Sequence, residues 1–260
     1  MTRLDTAFQH APIFMPYFPL GYPTLELSIA VIEALAQNGA DLVEVGLSFS
    51  DPLADGPVIQ KATQVALQNG ITVGKSLAAV AELRRRGVQI PLILMGYYNP
   101  ILAYGLTRFA DAARRAGADG FIIPDLPPEE SSPFETAAAE LPLIRMLAPT
   151  TPPERIRQVA GSARGFIYLV SVAGTTGART GLPSGLVDLI DTVRQSASVP
   201  VCVGFGIGTP QQAAIVAQTA AGVIVGSACV QTIGESDTPV ETARQFAREF
   251  KKAVNTARFH

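Results

Sequence analysis

Short apolar runs and stretches of helical spacing alternate along the whole of this chain. IFMPYF (Ile13 to Phe18) predicts a first strand, followed by the turn LGYPT. Leu25 to Asn38 predicts a helix that stops near Gly39. Leu42, Val43, Val45 and Leu47 predict a second strand ending at about Gly46. Ala62 to Asn69 and Ser76 to Arg86 predict helices separated by Gly70 to Gly74. IPLILMGYY (Ile90 to Tyr98) predicts a third strand stopped by Asn99-Pro100, and Arg108 to Ala116 a helix closed by Gly117. GFIIPD predicts a fourth strand ending at Asp125, and Pro133 to Glu140 a short helix. Leu143 to Ala148 predicts a fifth strand, and a helix follows with Thr151 as its cap. Gly165 to Ser171 predicts a sixth strand, then comes the glycine-rich AGTTGARTG and a helix from Ser184 to Gln195. Val199 to Ile207 predicts a seventh strand, and Thr209-Pro210 opens a helix running to about Thr219. Ala221 to Val230 predicts an eighth strand, and Pro239 to Val254 an amphipathic helix.

Strand-then-helix alternation implies a parallel sheet. Eight such units in 260 residues point to an α/β fold of the (β/α)8 TIM-barrel type, a single domain over residues 1 to 260. No G-x-G-x-x-G element follows the first strand, which counts against an open dinucleotide-binding sheet.

Composition narrows the chemistry. The chain is 48% hydrophobic and 16% charged, so a large core is available. A net charge of −2 gives no basic field for nucleic acid or an anionic membrane. No apolar run reaches membrane-spanning length, and the first residues lack the apolar core of a signal peptide. The two cysteines, Cys202 and Cys229, lie in apolar runs without motif spacing, which fits a reducing cytoplasm. The two histidines, His10 and His260, are near the chain ends, so neither a histidine triad nor a histidine-bound metal is expected. Arg84, Arg85 and Arg86 end a helix, where cations complement its dipole.

That leaves carboxylates, tyrosines and backbone amides. Glu44 stands inside an apolar strand, where a carboxylate is costly without a partner or a task. Beyond it SFSDPLADGP carries Asp51 and Asp55 in a loop shaped by Pro52, Gly56 and Pro57. In a barrel of this type the strand C-terminal ends carry the activity. Glu44, Asp55, Tyr97, Tyr98, Asp125 and Tyr168 all fall at or near such ends. Asp55-Gly56 and Asp51-Pro52 are also ordinary turn chemistry, and Asp125 before Leu-Pro-Pro can serve as a turn cap. Gly177 and Gly181, then Gly204, Gly206 and Gly208, then Gly226-Ser227 inside the eighth strand, spread glycine over three consecutive strand ends. Backbone amides there suit a phosphate.

The run EVGLSFSDPLADGPVIQ, with MGYYNPI, IIPDLPPEE, LAPTTPPERI, YLVSVAGTTGAR, VGFGI and VGSA in that order, resembles the tryptophan synthase alpha chain family over nearly the whole length. The resemblance implies a retro-aldol lyase. It would split indole-3-glycerol phosphate into indole and glyceraldehyde 3-phosphate, with no metal or organic cofactor. It places Glu44 on the general acid/base and Asp55 on the second catalytic carboxylate. Tyr168 falls on a substrate-lining position, and Gly177, Gly206, Gly226 and Ser227 on the phosphate-binding positions. It implies a tryptophan synthase beta chain as partner in an alpha-beta-beta-alpha heterotetramer, with Asp51 and the DLPPEE loop on the communicating surface. Ser48 where the family usually has proline, Val58 where it often has threonine and Thr175 where valine is common depart from the pattern. Ser48 is expected to loosen the entry to the catalytic loop. A free-standing lyase, a non-catalytic subunit that activates a partner, and another phosphate-binding barrel isomerase are the alternatives.

Overall fold

The computed structural model describes residues 1–170, 185–204 and 206–257. Eight parallel strands carry the fold: β1 (Ile13–Pro19), β2 (Val43–Gly46), β3 (Leu92–Met95), β4 (Gly120–Ile122), β5 (Arg145–Leu147), β6 (Ile167–Val170), β7 (Val201–Gly204) and β8 (Gly222–Val225). Their order is β4-β3-β2-β1-β8-β7-β6-β5. The ends meet through a parallel bridge between Phe121 and Leu143, made by Phe121 N–H to the Pro142 carbonyl (2.9 Å) and Ile144 N–H to the Phe121 carbonyl (2.8 Å). The result is the expected barrel. Beyond that bridge β4 and β5 share no register pair among the described residues. A hollow of about 100 Å³ lies there, lined in part by Ile123, Pro124, Ile144 and Met146.

Strand periodicity sorts the side chains into two cores. Alternate residues fill the barrel: Ile13, Met15, Leu42, Ile93, Ile122, Ile144, Phe166, Tyr168, Cys202 and Ile224. The others, such as Phe14, Phe18, Val43, Val45, Leu94, Phe121 and Val203, pack outward against the helices. Both faces of each strand are thus covered, which is why the strands read as continuous apolar runs instead of alternating ones.

The helices are α1 (Arg3–Phe8), α2 (Leu25–Gln37), α3 (Pro57–Gln68), α4 (Val73–Arg85), α5 (Tyr98–Tyr104), α6 (Leu106–Ala116), α7 (Ser132–Ala138), α8 (Pro153–Gly161), α9 (Leu186–Ser196), α10 (Pro210–Ala217), α11 (Ser227–Gly234) and α12 (Pro239–Thr256). Helix α1 has no counterpart in the sequence reading. Its Thr2 and Asp5 form a capping box, and its Leu4 and Phe8 enter the barrel core from the N-terminal end. Helix α12 lies against β1, where Phe14 meets Phe250 and Phe246 with ring centroids 5.5 and 6.5 Å apart.

Three boundaries differ from the expectation in ways that matter. The third strand stops at Met95, and Tyr98, Asn99 and Pro100 form the first turn of α5. Proline is tolerated there because early helical N–H groups have no intrahelical partner. The eighth strand stops at Val225, so Ser227 to Val230 are helical. An apolar run such as SACVQTIG fits either state until its neighbours decide. Thr151 is not the cap of α8: that place is taken by Pro152, and the Thr151 hydroxyl accepts the Ala148 N–H at 3.0 Å. The Thr209-Pro210 start of α10 is as expected, with Thr209 and Gln212 closing a capping box.

The arginine cluster is structural. Arg84 donates to the Asp119 carboxylate (2.5 Å) and to the carbonyls of Gly117, Val88 and Ile90. Asp119 also accepts the Leu92 N–H at 2.8 Å and pairs with Arg3. One buried carboxylate therefore ties α1, α4 and the start of β3 together.

Candidate functional site

Glu44 occupies the inner face of β2, two residues before the strand ends at Gly46. Its neighbours across the sheet are Tyr17 on β1 and Ile93 on β3. It is 1% exposed, and its Oε1 has no hydrogen-bond partner. Burial alone pushes its carboxyl up to about 8, because nothing offsets the loss of water around the charged form. Such a group keeps its proton at neutral pH, and the strand offers no basic residue to share it.

Asp55 lies in the loop after β2, just before α3 begins with Gly56 as cap and Pro57 as its first residue. Proline and glycine there allow the chain to turn back over the barrel. The loop is tied down at two points. The Asp55 N–H bonds the Pro52 carbonyl at 3.0 Å, and the Ala54 N–H bonds the Tyr97 hydroxyl at 3.0 Å. Tyr97 in turn stacks obliquely on Phe49, centroids 5.6 Å apart. Burial pushes the Asp55 carboxyl up to about 6, and a hydrogen bond from Tyr97 pulls it partly back. At neutral pH Asp55 is charged while Glu44 is not.

The two acids share one neighbourhood. The charges of both raise the phenol of Tyr168, and both also raise that of Tyr17. Tyr168 is 6% exposed on the inner face of β6. Sequence reasoning found Tyr168 but passed over Tyr17. The available signal was its place at an inner position near the C-terminal end of β1, the counterpart of Glu44 on β2.

The glycines divide into those the fold uses and those it leaves open. Gly206 has φ +78, a left-handed conformation that favours glycine, and is exposed. Gly208 is committed: its N–H bonds the Gln212 side chain at 2.8 Å. Gly226 is not inside a strand as expected. It caps α11, and Ser227 is the first helical residue. The first helical bond runs from Val230 N–H to the Gly226 carbonyl at 3.1 Å, so the amides before Val230 have no intrahelical acceptor. A helix start therefore replaces the strand interior, which suits an anion better. A Cβ built on Gly226 would lie 3.9 Å from Tyr17 Cβ, so this helix end adjoins the acid site. Gly177 and Gly181, with Thr175, lie outside the described residues.

Asp125 and Ser48 are scaffolding in this structure, and Asp51 lies at the surface. Asp125 accepts the Tyr98 N–H at 2.9 Å and so fixes the start of α5. Asp51 is exposed and accepts from Ser50. Ser48 does not hang free: its hydroxyl reaches the Leu20 carbonyl at 3.5 Å. Among the described residues no group of three metal-binding side chains comes together, and no helix is long and apolar enough to cross a membrane.

Comparison with known proteins agrees with this geometry. The family model described as tryptophan synthase alpha chain matches residues 5–257. A tryptophan synthase alpha chain of Dehalococcoides mccartyi is 45% identical over 257 residues, covering 98% of this chain and 100% of the relative. One from Chloroflexus aurantiacus is 50% identical over 244 residues, 92% of each chain. The crystal structure of the tryptophan synthase alpha chain from Legionella pneumophila superposes with a TM-score of 0.87 at 35% identity, covering 98% of both chains. A buried acid at the end of β2, a second acid in the loop beyond it, and a glycine-capped helix after β8 thus occur in a chain that matches one family almost end to end: the protein belongs to the tryptophan synthase alpha chain family.

Proposed function

We propose that this chain is a carbon–carbon lyase, an alpha subunit of tryptophan synthase acting in tryptophan biosynthesis. It splits indole-3-glycerol phosphate into indole and glyceraldehyde 3-phosphate. The observation that carries the reading is the division of labour between two acids: Glu44 protonated and Asp55 ionised at the same pH. Environments that push paired carboxyls apart assign acid and base roles.

The bond to be broken joins indole C3 to the first carbon of the glycerol chain. Glu44 gives its proton to C3, which makes the ring an electron sink. Positive charge then develops at the indole nitrogen, and the Asp55 carboxylate accepts the N–H and stabilises it. The ionised Glu44 next takes the proton from the glycerol hydroxyl. The O–H electron pair becomes the aldehyde C=O, the C–C pair returns to the ring, and indole leaves. Glu44 ends with the proton count it started with, so no cofactor is required.

Binding at the far end supplies orientation. Gly206, Gly226 and Ser227, with Gly177, hold the phosphate through backbone amides and the α11 start, and Tyr168 packs along the substrate. We assign the whole chain to one domain, in the cytoplasm, partnered by a tryptophan synthase beta chain in an alpha-beta-beta-alpha assembly. Asp51 and the DLPPEE loop, Asp125 to Glu130, would face that partner. The deciding experiment is indole formation from indole-3-glycerol phosphate by the purified chain, with and without a beta chain. Indole production that Glu44→Gln abolishes upholds the reading, and no indole under either condition overturns it.

A further inference from the structure

The hollow of about 100 Å³ between β4 and β5 has a charged group on its wall. Besides the apolar side chains of Ile123, Ile144 and Met146 it is lined by Leu126, by prolines, and by Arg145, its one charged residue among the described residues. Arg145 stands on β5 in register with Ile167 and is only 7% exposed. A strand covered on both faces ordinarily fills such a place with an apolar side chain.

The guanidinium is half used. Its Nη2 donates to the Ser131 hydroxyl at 3.0 Å and to the Glu135 carboxylate at 2.9 Å, both at the start of α7. Its Nη1 is buried and has no acceptor. A charged donor left unpaired out of water is costly. The acids nearby are already engaged: Glu135 serves Nη2, and Glu129 takes an Arg155 N–H at 2.7 Å. The backbone adds a second open donor. The ladder from β5 to β4 ends with the Ile144 N–H on the Phe121 carbonyl, so the next amide on that edge, that of Met146, has no acceptor on β4.

We propose that this hollow is a binding site for a short-chain carboxylic acid, with the carboxylate on Arg145 Nη1 and the alkyl end against Ile123, Leu126 and Met146. A charged donor beside apolar side chains matches a ligand with one anionic head and a short hydrocarbon tail. Size sets the length. At roughly 30 Å³ per water in the liquid, the space takes about three waters, or one acid of about three carbons. Glu44, Asp55, Tyr168, Gly206, Gly226 and Ser227 are all absent from the wall, so the site is separate from the one described above.

The full-length chain, labelled at its Ile, Leu and Met methyl groups, is titrated by NMR with sodium propionate and, separately, with propionamide, a neutral molecule of the same shape. Propionate should shift the Ile123, Leu126, Ile144 and Met146 methyls saturably. Propionamide should bind about tenfold more weakly, as a neutral acceptor facing a charged donor. Arg145→Met, which keeps an unbranched stem, should weaken propionate binding by about ten- to a hundredfold. No saturable shift with propionate, an equal response to propionamide, or unchanged binding in Arg145→Met overturns the proposal and leaves water as the occupant. Displacement of propionate by inorganic phosphate also overturns it, by placing the acid in the substrate site. If Arg145→Met does not fold, the comparison of propionate with propionamide in the wild type decides alone.

Discussion

Tyr97 and Asp55 are joined through the residue between Asp55 and the loop tip: the Tyr97 hydroxyl takes the Ala54 N–H at 3.0 Å and donates to the Asp55 carboxyl itself. One phenol thus anchors the loop backbone and tunes the acid it carries. Tyr97→Phe should leave the fold intact, release the loop and raise the proton affinity of Asp55. The expected loss in kcat/KM at pH 7 is about ten- to a hundredfold, the range for one hydrogen bond to a charged group. Steady-state kinetics checks it, and unchanged kcat/KM would show that the loop holds itself.

Activity should be bell-shaped in pH. Asp55 must be ionised, so kcat/KM rises as pH passes about 6. Glu44 must be protonated, so it falls as pH passes about 8. Asp55→Asn should remove the acid limb along with most activity. A profile flat from pH 5 to pH 9 would refute both assignments.

Glu44 also links pH to stability, in a direction opposite to that of a salt-bridged acid. Its carboxyl sits near 4.5 when solvated and is raised to about 8 by burial in the folded chain. Between those values the unfolded chain gives up the proton and the folded chain keeps it. Folding is therefore unpenalised below about 4.5 and loses stability as pH climbs toward 8. By pH 7 the penalty is roughly 3.5 kcal/mol, from about 2.5 pH units at about 1.4 kcal/mol each. Glu44→Gln should be inactive, by more than about a thousandfold, yet unfold at higher urea than wild type at pH 7.5. The difference should shrink on going to pH 5.

Gly226 separates folding from binding. A Cβ there would meet nothing nearer than Ile59 Cδ1 at 3.7 Å, and φ is −99. Gly226→Ala should fold with an unchanged melting temperature. It should raise KM about tenfold or more, by crowding the amides offered to phosphate, and weaken inhibition by inorganic phosphate. A normal KM would place the phosphate elsewhere.

Asp119 tests the scaffold alone. Asp119→Ala strands the largely buried Arg84 and leaves the Leu92 N–H without its acceptor. The cost should be about 3 kcal/mol in urea unfolding, with no change in the pH profile of the remaining activity.

Much of this was legible in the sequence because the strands are covered on both faces. Uninterrupted apolar runs then mark the strands, and a lone Glu44 inside one of them stands out. The misreadings have the same origin. Where apolar residues continue past a strand end, as in SACVQTIG, or where aromatic residues follow one, as in Tyr97-Tyr98-Asn99-Pro100, composition cannot say that the chain has begun to coil. Helix α1 was missed because six residues carry too little periodicity to register. Tyr17 was missed because one hydroxyl in IFMPYF looks like an ordinary strand tyrosine; its place beside Glu44 shows only in the register of β1 on β2. The loop containing Gly177 lies outside the described residues.

The join between β4 and β5 is the thinnest in the barrel. Elsewhere neighbouring strands share two to four register pairs, whereas here Phe121 and Leu143 make the only bridge among the described residues. A cylinder unzips where it has fewest stitches. The amides of Phe121 and Ile144 should exchange with deuterium sooner than those deep in β2. New chain ends placed in the connection between these two strands would interrupt the wall at its natural gap, and leave Glu44, two strands from β4 along the sheet order, undisturbed.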